Sequence, residues 1–98
     1  MKYKAIYNDT VIAETSSTVL LEGNHYFPPE SLHRQYFSDS TQRSHCPWKG
    51  QAHYYSITVD GQTNEAAAWY YPQASEKAKQ IEGAIAFWKG VRVEESPD

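Results

Sequence analysis

Asp60-Gly61 stands between two runs, 51–59 and 62–71, that are rich in Tyr, Ile, Val, Thr, Trp and Ala. Asp-Gly so placed is a strong hairpin signal, because a type I′ turn needs positive φ at both central residues. With this pair as the turn, Val59 is expected opposite Gln62, Ile57 opposite Asn64, Tyr55 opposite Ala66, Tyr54 opposite Ala67 and Ala52 opposite Trp69. Large side chains then meet small ones across the ladder, which packs well. The same register sets Gly50 opposite Tyr71 and lays the loop 46–50 beside Trp69-Tyr70-Tyr71-Pro72. Strand alternation gives Trp69 and Tyr71 one face and Tyr70 the other. One face is expected to be core, the other a concave or partner-binding surface.

The rest of the chain reads as short strands with breaks. Tyr3, Ala5 and Tyr7 alternate with Lys2, Lys4 and Ile6, Asn8-Asp9 supplies a turn before Val11-Ile12-Ala13-Glu14, and Ser16-Ser17 another before Thr18-Val19-Leu20-Leu21. A β-meander is the simplest arrangement of the three. Between 23 and 50, Gly23-Asn24, Pro28-Pro29 and Pro47 break any long element. Glu30 to Phe37 is expected to hold a helical turn or two, with Leu32, Tyr36 and Phe37 inward. After Pro72, residues 74–82 have helix-forming composition with a stop at Gly83. Ala84 to Trp88 and Val91 to Val93 read as closing strands around Lys89-Gly90. The expected fold is mainly β (α+β), a small single domain over 1–98 with an antiparallel meander, a long hairpin and one short helix near the C-terminus. The acidic segment 94–98 is expected to be a flexible, solvated tail.

Ninety-eight residues suffice for one domain and are too few for two. Eight tyrosines and three tryptophans supply much of the apolar area, and both residue types need a polar partner when enclosed. A net charge of −3 with no basic block argues against binding nucleic acid or an anionic membrane through bulk electrostatics. The N-terminus lacks the apolar run of a signal peptide, and nothing approaches the ~20 apolar residues of a membrane span. One cysteine forms no internal disulfide and no zinc cluster, which fits a reducing cytoplasm. A soluble, cytoplasmic protein is the expectation.

Chemically loaded side chains gather in Arg43-Ser44-His45-Cys46-Pro47-Trp48-Lys49-Gly50, bent by Pro47 and Gly50. Cys46 is a candidate nucleophile because nearby cations stabilise a thiolate, with His45 or His25 as base; a free cysteine is more often a small buried hydrophobe. Lys49 is a candidate for the charged part of a ligand, helped by the planar fork of Arg34 or Arg43; the alternative is an ordinary ion pair. His25, His33, His45, His53 and Cys46 carry metal-ligand atoms, but their spacing matches no compact motif, and neither a metal site nor a cofactor is expected. Trp48, Trp69, Tyr70, Tyr71, Tyr54 and Tyr55 either line a slot for a flat ligand or simply build the core.

Val11-Ile12-Ala13-Glu14, Tyr26-Phe27-Pro28, Cys46-Pro47-Trp48-Lys49-Gly50, Ala67-Ala68-Trp69-Tyr70-Tyr71-Pro72 and Ile85-Ala86-Phe87 occur in that order along nearly the whole chain. On these motifs the chain resembles the small, mostly bacterial proteins grouped as the domain of unknown function 427 family. The resemblance implies a β-rich fold without an established activity, sometimes labelled nucleotidyltransferase-like. Nucleotidyl transfer ordinarily uses two divalent metals held by closely placed carboxylates. Here the aspartates are scattered at positions 9, 39, 60 and 98, with no Asp-x-Asp pair.

The function expected from these residues is binding of a small anionic or aromatic ligand, or of a protein partner, in a cleft beside the 46–50 loop. Lys49, Trp48, Arg34, His25, Tyr26, Trp69 and Tyr71 are its expected lining. The alternatives are an enzyme with Cys46 as nucleophile and His45 as base, the nucleotidyltransferase-like activity of the family label, and a homodimer joined through an exposed aromatic face.

Overall fold

Asp60 and Gly61 both take positive φ, 51° and 77°, and the chain reverses there as the hydrophobic pattern requires. The structure, a computed structural model, describes residues 1–97; Asp98 lies outside the described residues. In chain order the strands are β1 (Lys2–Tyr7), β2 (Thr10–Thr15), β3 (Val19–Leu21), β4 (Asn24–Tyr26), β5 (Phe37–Cys46), β6 (Gly50–Val59), β7 (Gln62–Tyr70), β8 (Ile85–Phe87) and β9 (Arg92–Ser96). They form a four-stranded antiparallel sheet in the order β5-β6-β7-β8, a three-stranded sheet β2-β1-β9 and a two-stranded ribbon β3-β4. The mainly β expectation therefore holds. Among the described residues no helix is long and apolar enough to cross a membrane.

Near its turn the β6–β7 ladder follows the expected register, with Val59 opposite Gln62 and Ile57 opposite Asn64. Pairing then resumes at Tyr55 with Ala68 and Tyr54 with Trp69, two residues later on β7 than expected. The cause is a bulge in which residues 65–67 face Ser56 alone. Ala66 takes a left-handed φ of 53°, its N–H bonds Ser56 Oγ at 3.1 Å, and its carbonyl accepts the Trp88 indole N–H at 2.7 Å. Because the shift is an even number of residues, the faces are preserved on either side of the bulge, while Ala66 and Ala67 within it exchange theirs.

Those faces carry two separate cores. Ile57, Val59, Ala68 and Phe87 pack with Ala5, Ile12 and Ala13 of the three-stranded sheet and with Phe27. On the opposite face, Ala52, Tyr54, Tyr71 and Ala86 pack under Tyr26 of the ribbon and under Ala74, Ala78 and Ile81. Trp69 and Tyr71 thus share a face and Tyr70 takes the other, as alternation dictates.

Four local expectations are corrected. The first three strands do not form a meander: β1 lies between β2 and β9, and β3 pairs with β4 instead of β2. The long connection contains, besides 3-10 turns at Pro29–Ser31 and Arg34–Tyr36, the ten-residue strand β5. As an edge strand exposed over most of its length it has no buried face, so no period of two marks it. The short helix is a 3-10 segment, Glu76–Ile81, kinked at Ala78. The acidic segment is not a free tail through Ser96, because Glu94 and Glu95 pair with Lys4 and Tyr3 on β1.

Ser56 is 4% exposed, and its hydroxyl both accepts from the Ala66 N–H and donates to Glu65 Oε2. Ser56→Ala leaves the buried Ala66 N–H unpaired and is expected to lower stability by about 1–3 kcal/mol. Urea unfolding checks this: a lower midpoint at unchanged slope supports the bulge account, and an unchanged midpoint refutes it.

Candidate functional site

The site starts from the three-residue turn Pro47-Trp48-Lys49 between β5 and β6, closed by the Cys46–Gly50 pair. Gly50 has φ of +119°, and a Cβ there would lie 3.0 Å from the Gln73 carbonyl, so only glycine lets the two backbones approach. The Lys49 carbonyl accepts from the Ser75 N–H at 3.0 Å, and the Trp48 carbonyl accepts from the Ser75 hydroxyl. The turn therefore rests against 73–75, two residues beyond the expected Tyr71, which is the shift the Ala66 bulge introduces.

Lys49 is turned inward and only 8% exposed. Its ammonium pairs with the Glu22 carboxylate and lies 5.0 Å from the Trp48 ring centre and 5.8 Å from that of Tyr71. Glu22 is on the Glu22-Gly23 turn joining β3 to β4, where both residues have positive φ. Burial works against the Lys49 charge, but the hydrogen bond to Glu22 and the surrounding Tyr71, Tyr26 and Cys46 outweigh it and hold its pKa above the usual lysine value.

Beside this ammonium lies a cleft of about 160 Å³ with aromatic walls. Tyr54 and Trp69 face each other across β6 and β7 and contribute two walls, with Tyr71 following on the same face. The ribbon contributes Asn24 and Tyr26, which share a face by alternation, and Trp88 closes the far side just after β8. The Trp69 indole N–H donates to the Tyr26 hydroxyl at 3.3 Å. Trp88 stands edge-on to Trp69, with ring centres 5.8 Å apart at 81°, and is 43% exposed. Among the described residues neither the Tyr71 hydroxyl nor the Asn24 carboxamide has a side-chain hydrogen-bond partner. A second hollow, about 360 Å³ against Gln51, His53, Pro72 and Gln73, contains no buried polar side chain.

Of the residues expected at the site, Lys49, Tyr26, Trp69 and Tyr71 come together, with Trp48 on the turn against Lys49. His25 does not join them: it alternates with Asn24 and Tyr26, hydrogen bonds Thr18 Oγ1 through Nδ1 at 2.7 Å and packs on Tyr3. Arg34 is on the other side of the four-stranded sheet, 5.8 Å from the Tyr55 ring centre and hydrogen-bonded to Pro29 O and Tyr55 Oη. Cys46 is half-buried against the second core, whereas its neighbour His45 is exposed, so strand alternation turns them to opposite faces. Among the described residues no group of three His, Cys, Asp or Glu side chains is placed to hold a metal ion.

Sequence reasoning leaves Asn24 and Trp88 out of the lining and Glu22 out of the site, and offers Tyr54 only as slot or core. Parity would find Asn24, two residues before Tyr26, and the true register pairs Tyr54 with Trp69. Trp88 and Glu22 arrive through tertiary contacts that carry no local signal.

Burial pushes the Tyr71 phenol up to about 12, the Lys49 charge offsetting only part of the rise. A raised folded-state pKa favours the protonated form, so its contribution to stability is complete below the ordinary value of 10.0 and is lost as pH rises toward about 12. An alkaline titration followed by phenolate absorbance is expected to show a late tyrosine that disappears in Tyr71→Phe. A late phase unchanged in that variant would contradict the assignment.

The Domain of unknown function (DUF427) family matches residues 2–97. No curated protein matches the chain. The fold, the 46–50 turn and the aromatic strand around Trp69 thus lie within one match that spans nearly every residue, and the chain belongs to the DUF427 family.

Proposed function

We propose that the protein binds a small, flat ligand in the cleft between Lys49 and the Trp69–Trp88 pair. The observation that carries this reading is the convergence on one cleft of aromatic rings from β4, β6, β7 and the segment after β8, together with a lysine that is itself buried. A mostly apolar concavity with a few polar groups is the usual form of a small-molecule site. Its tryptophans are poised for stacking because their own donors are already used: Trp69 bonds Tyr26, and Trp88 bonds the Ala66 carbonyl. The Tyr71 hydroxyl and Asn24 carboxamide supply directional hydrogen bonds along the edge of a ring.

The separation of His45 from Cys46 onto opposite strand faces weighs against a thiolate–imidazole pair built from those two residues. Cys46 is better explained as packing beside the cleft.

The three indole N–H groups give separate NMR signals and suit a direct test. Titration with a panel of single-ring aromatic compounds is expected to shift the Trp69 and Trp88 signals more than that of Trp48. Trp88→Ala, on the exposed wall, should weaken binding by about tenfold, and Cys46→Ala should leave it unchanged. If no flat compound moves Trp69 or Trp88, the reading fails; if Cys46→Ala abolishes the shifts, the thiol belongs to the site after all.

A further inference from the structure

The chemistry at the Lys49 end names the class of ligand, an inference that rests on the cleft being a binding site. Lysine near a surface usually runs its alkyl stem along apolar neighbours and keeps its ammonium in water. Lys49 instead is 8% exposed, with its ammonium among the rings of Trp48 and Tyr71 and the cleft. A charge so placed needs a counter-charge, since an uncompensated buried ion is strongly destabilising. The counter-charge comes from Glu22, whose own side chain is 48% exposed at the tip of the ribbon turn. One partner is enclosed and the other can return to water.

We propose that the ligand is a monocyclic aromatic carboxylate, whose carboxylate replaces that of Glu22 on the Lys49 ammonium while its ring enters the aromatic cleft.

Four points support the match. A neutral ligand that displaced Glu22 would strand the ammonium, whereas a carboxylate substitutes like for like. Lys49 is the single charged residue lining the cleft among the described residues, so a monoanion balances it and a phosphate dianion leaves one negative charge unmatched among tyrosines. The volume, about 160 Å³, suits one ring, since an apolar cavity of about 150 Å³ takes up benzene. The Tyr71 hydroxyl and Asn24 amide are free to donate to the second carboxylate oxygen or to a ring substituent.

Glu22 is then an internal competitor, and its removal should strengthen binding. Benzoate, benzamide and phenyl phosphate are the probes, titrated into the wild type, Glu22→Gln and Lys49→Met while following the indole signals, with thermal unfolding of each variant measured alongside. Benzoate is expected to bind about tenfold more tightly than benzamide and to gain about tenfold in Glu22→Gln, from the strength of a charge-assisted hydrogen bond. Lys49→Met, if folded, should erase the preference for benzoate; if it does not fold, Glu22→Gln alone decides. Equal binding of benzoate and benzamide, or no gain in Glu22→Gln, overturns the carboxylate assignment while leaving the cleft as a binding site. Tighter binding of phenyl phosphate overturns it in favour of a phosphate ester. Failure of all three probes to shift Trp69 or Trp88 in the wild type and in Glu22→Gln overturns the binding site itself, and the ligand class with it.

Discussion

The left-handed backbone of Ala66 governs both the register of the long hairpin and the walls of the cleft. An alanine at φ of 53° is held against an intrinsic preference of about 1–2 kcal/mol, so its surroundings must over-determine it. They do so through both peptide units that flank it: the Ser56 hydroxyl takes the N–H, and the Trp88 indole donates to the carbonyl. The resulting bulge moves β7 forward by two residues relative to β6. Tyr54 thereby meets Trp69, and the 46–50 turn reaches Gln73 and Ser75. The same carbonyl that completes the bulge fixes Trp88 as a wall of the cleft. Hairpin register and site are one construction.

The bulge also marks the limit of what is legible in the chain. Asp60-Gly61 announces its turn because positive φ has a compositional signature, and the division of Trp69 and Tyr71 from Tyr70 follows from strand geometry alone. Ala66-Ala67-Ala68 gives no sign that its first residue is left-handed, since alanine has no local motive to be so; the motive lies on Ser56 and Trp88, ten and twenty-two residues away in sequence. A register extrapolated from the turn therefore fails at the bulge and is correct in its faces beyond it. Nearness in sequence to Tyr26 suggests His25 for the cleft, although alternation turns adjacent residues apart. Charge suggests Arg34, but its guanidinium covers the Tyr55 ring on the other side of the sheet. Strand β5 is invisible in the sequence because an edge strand exposed over most of its length has no pattern to read.

Lys49 illustrates how a polar group is held in an apolar setting. Its ammonium gains from Glu22 and from the faces of Trp48 and Tyr71 what it loses in hydration. Removing Glu22 alone is costly because the enclosed ammonium is left without its counter-charge. The arrangement is consequently selective about what replaces Glu22: the exchange is near balance only for an entering group of the same charge. The ribbon tip that delivers Glu22 is joined to the rest through β4 and the Phe27–Ile85 bridge, so the counter-ion can leave without dismantling either sheet.

Both faces of the four-stranded sheet carry edge-on ring pairs, and the stacked pair lies on the face toward the three-stranded sheet. On the face toward the three-stranded sheet, Tyr55 and Tyr70 stack with ring centres 4.8 Å apart at 21°, and Arg34 lies over Tyr55. Near-parallel rings fill the space between them. On the cleft face, Trp69 meets Tyr26 at 90° and Trp88 at 81°. Rings at right angles satisfy each other edge to face, and here they border the void of about 160 Å³. Hydrogen bonds from both indoles hold those planes in place, so the void does not collapse by rotation of its walls. The edge-on pairs of the other face, Phe27–Phe87 and Phe37–Tyr55, pack within the first core, whereas Trp88 on the cleft face is 43% exposed, so the same ring geometry there borders solvent.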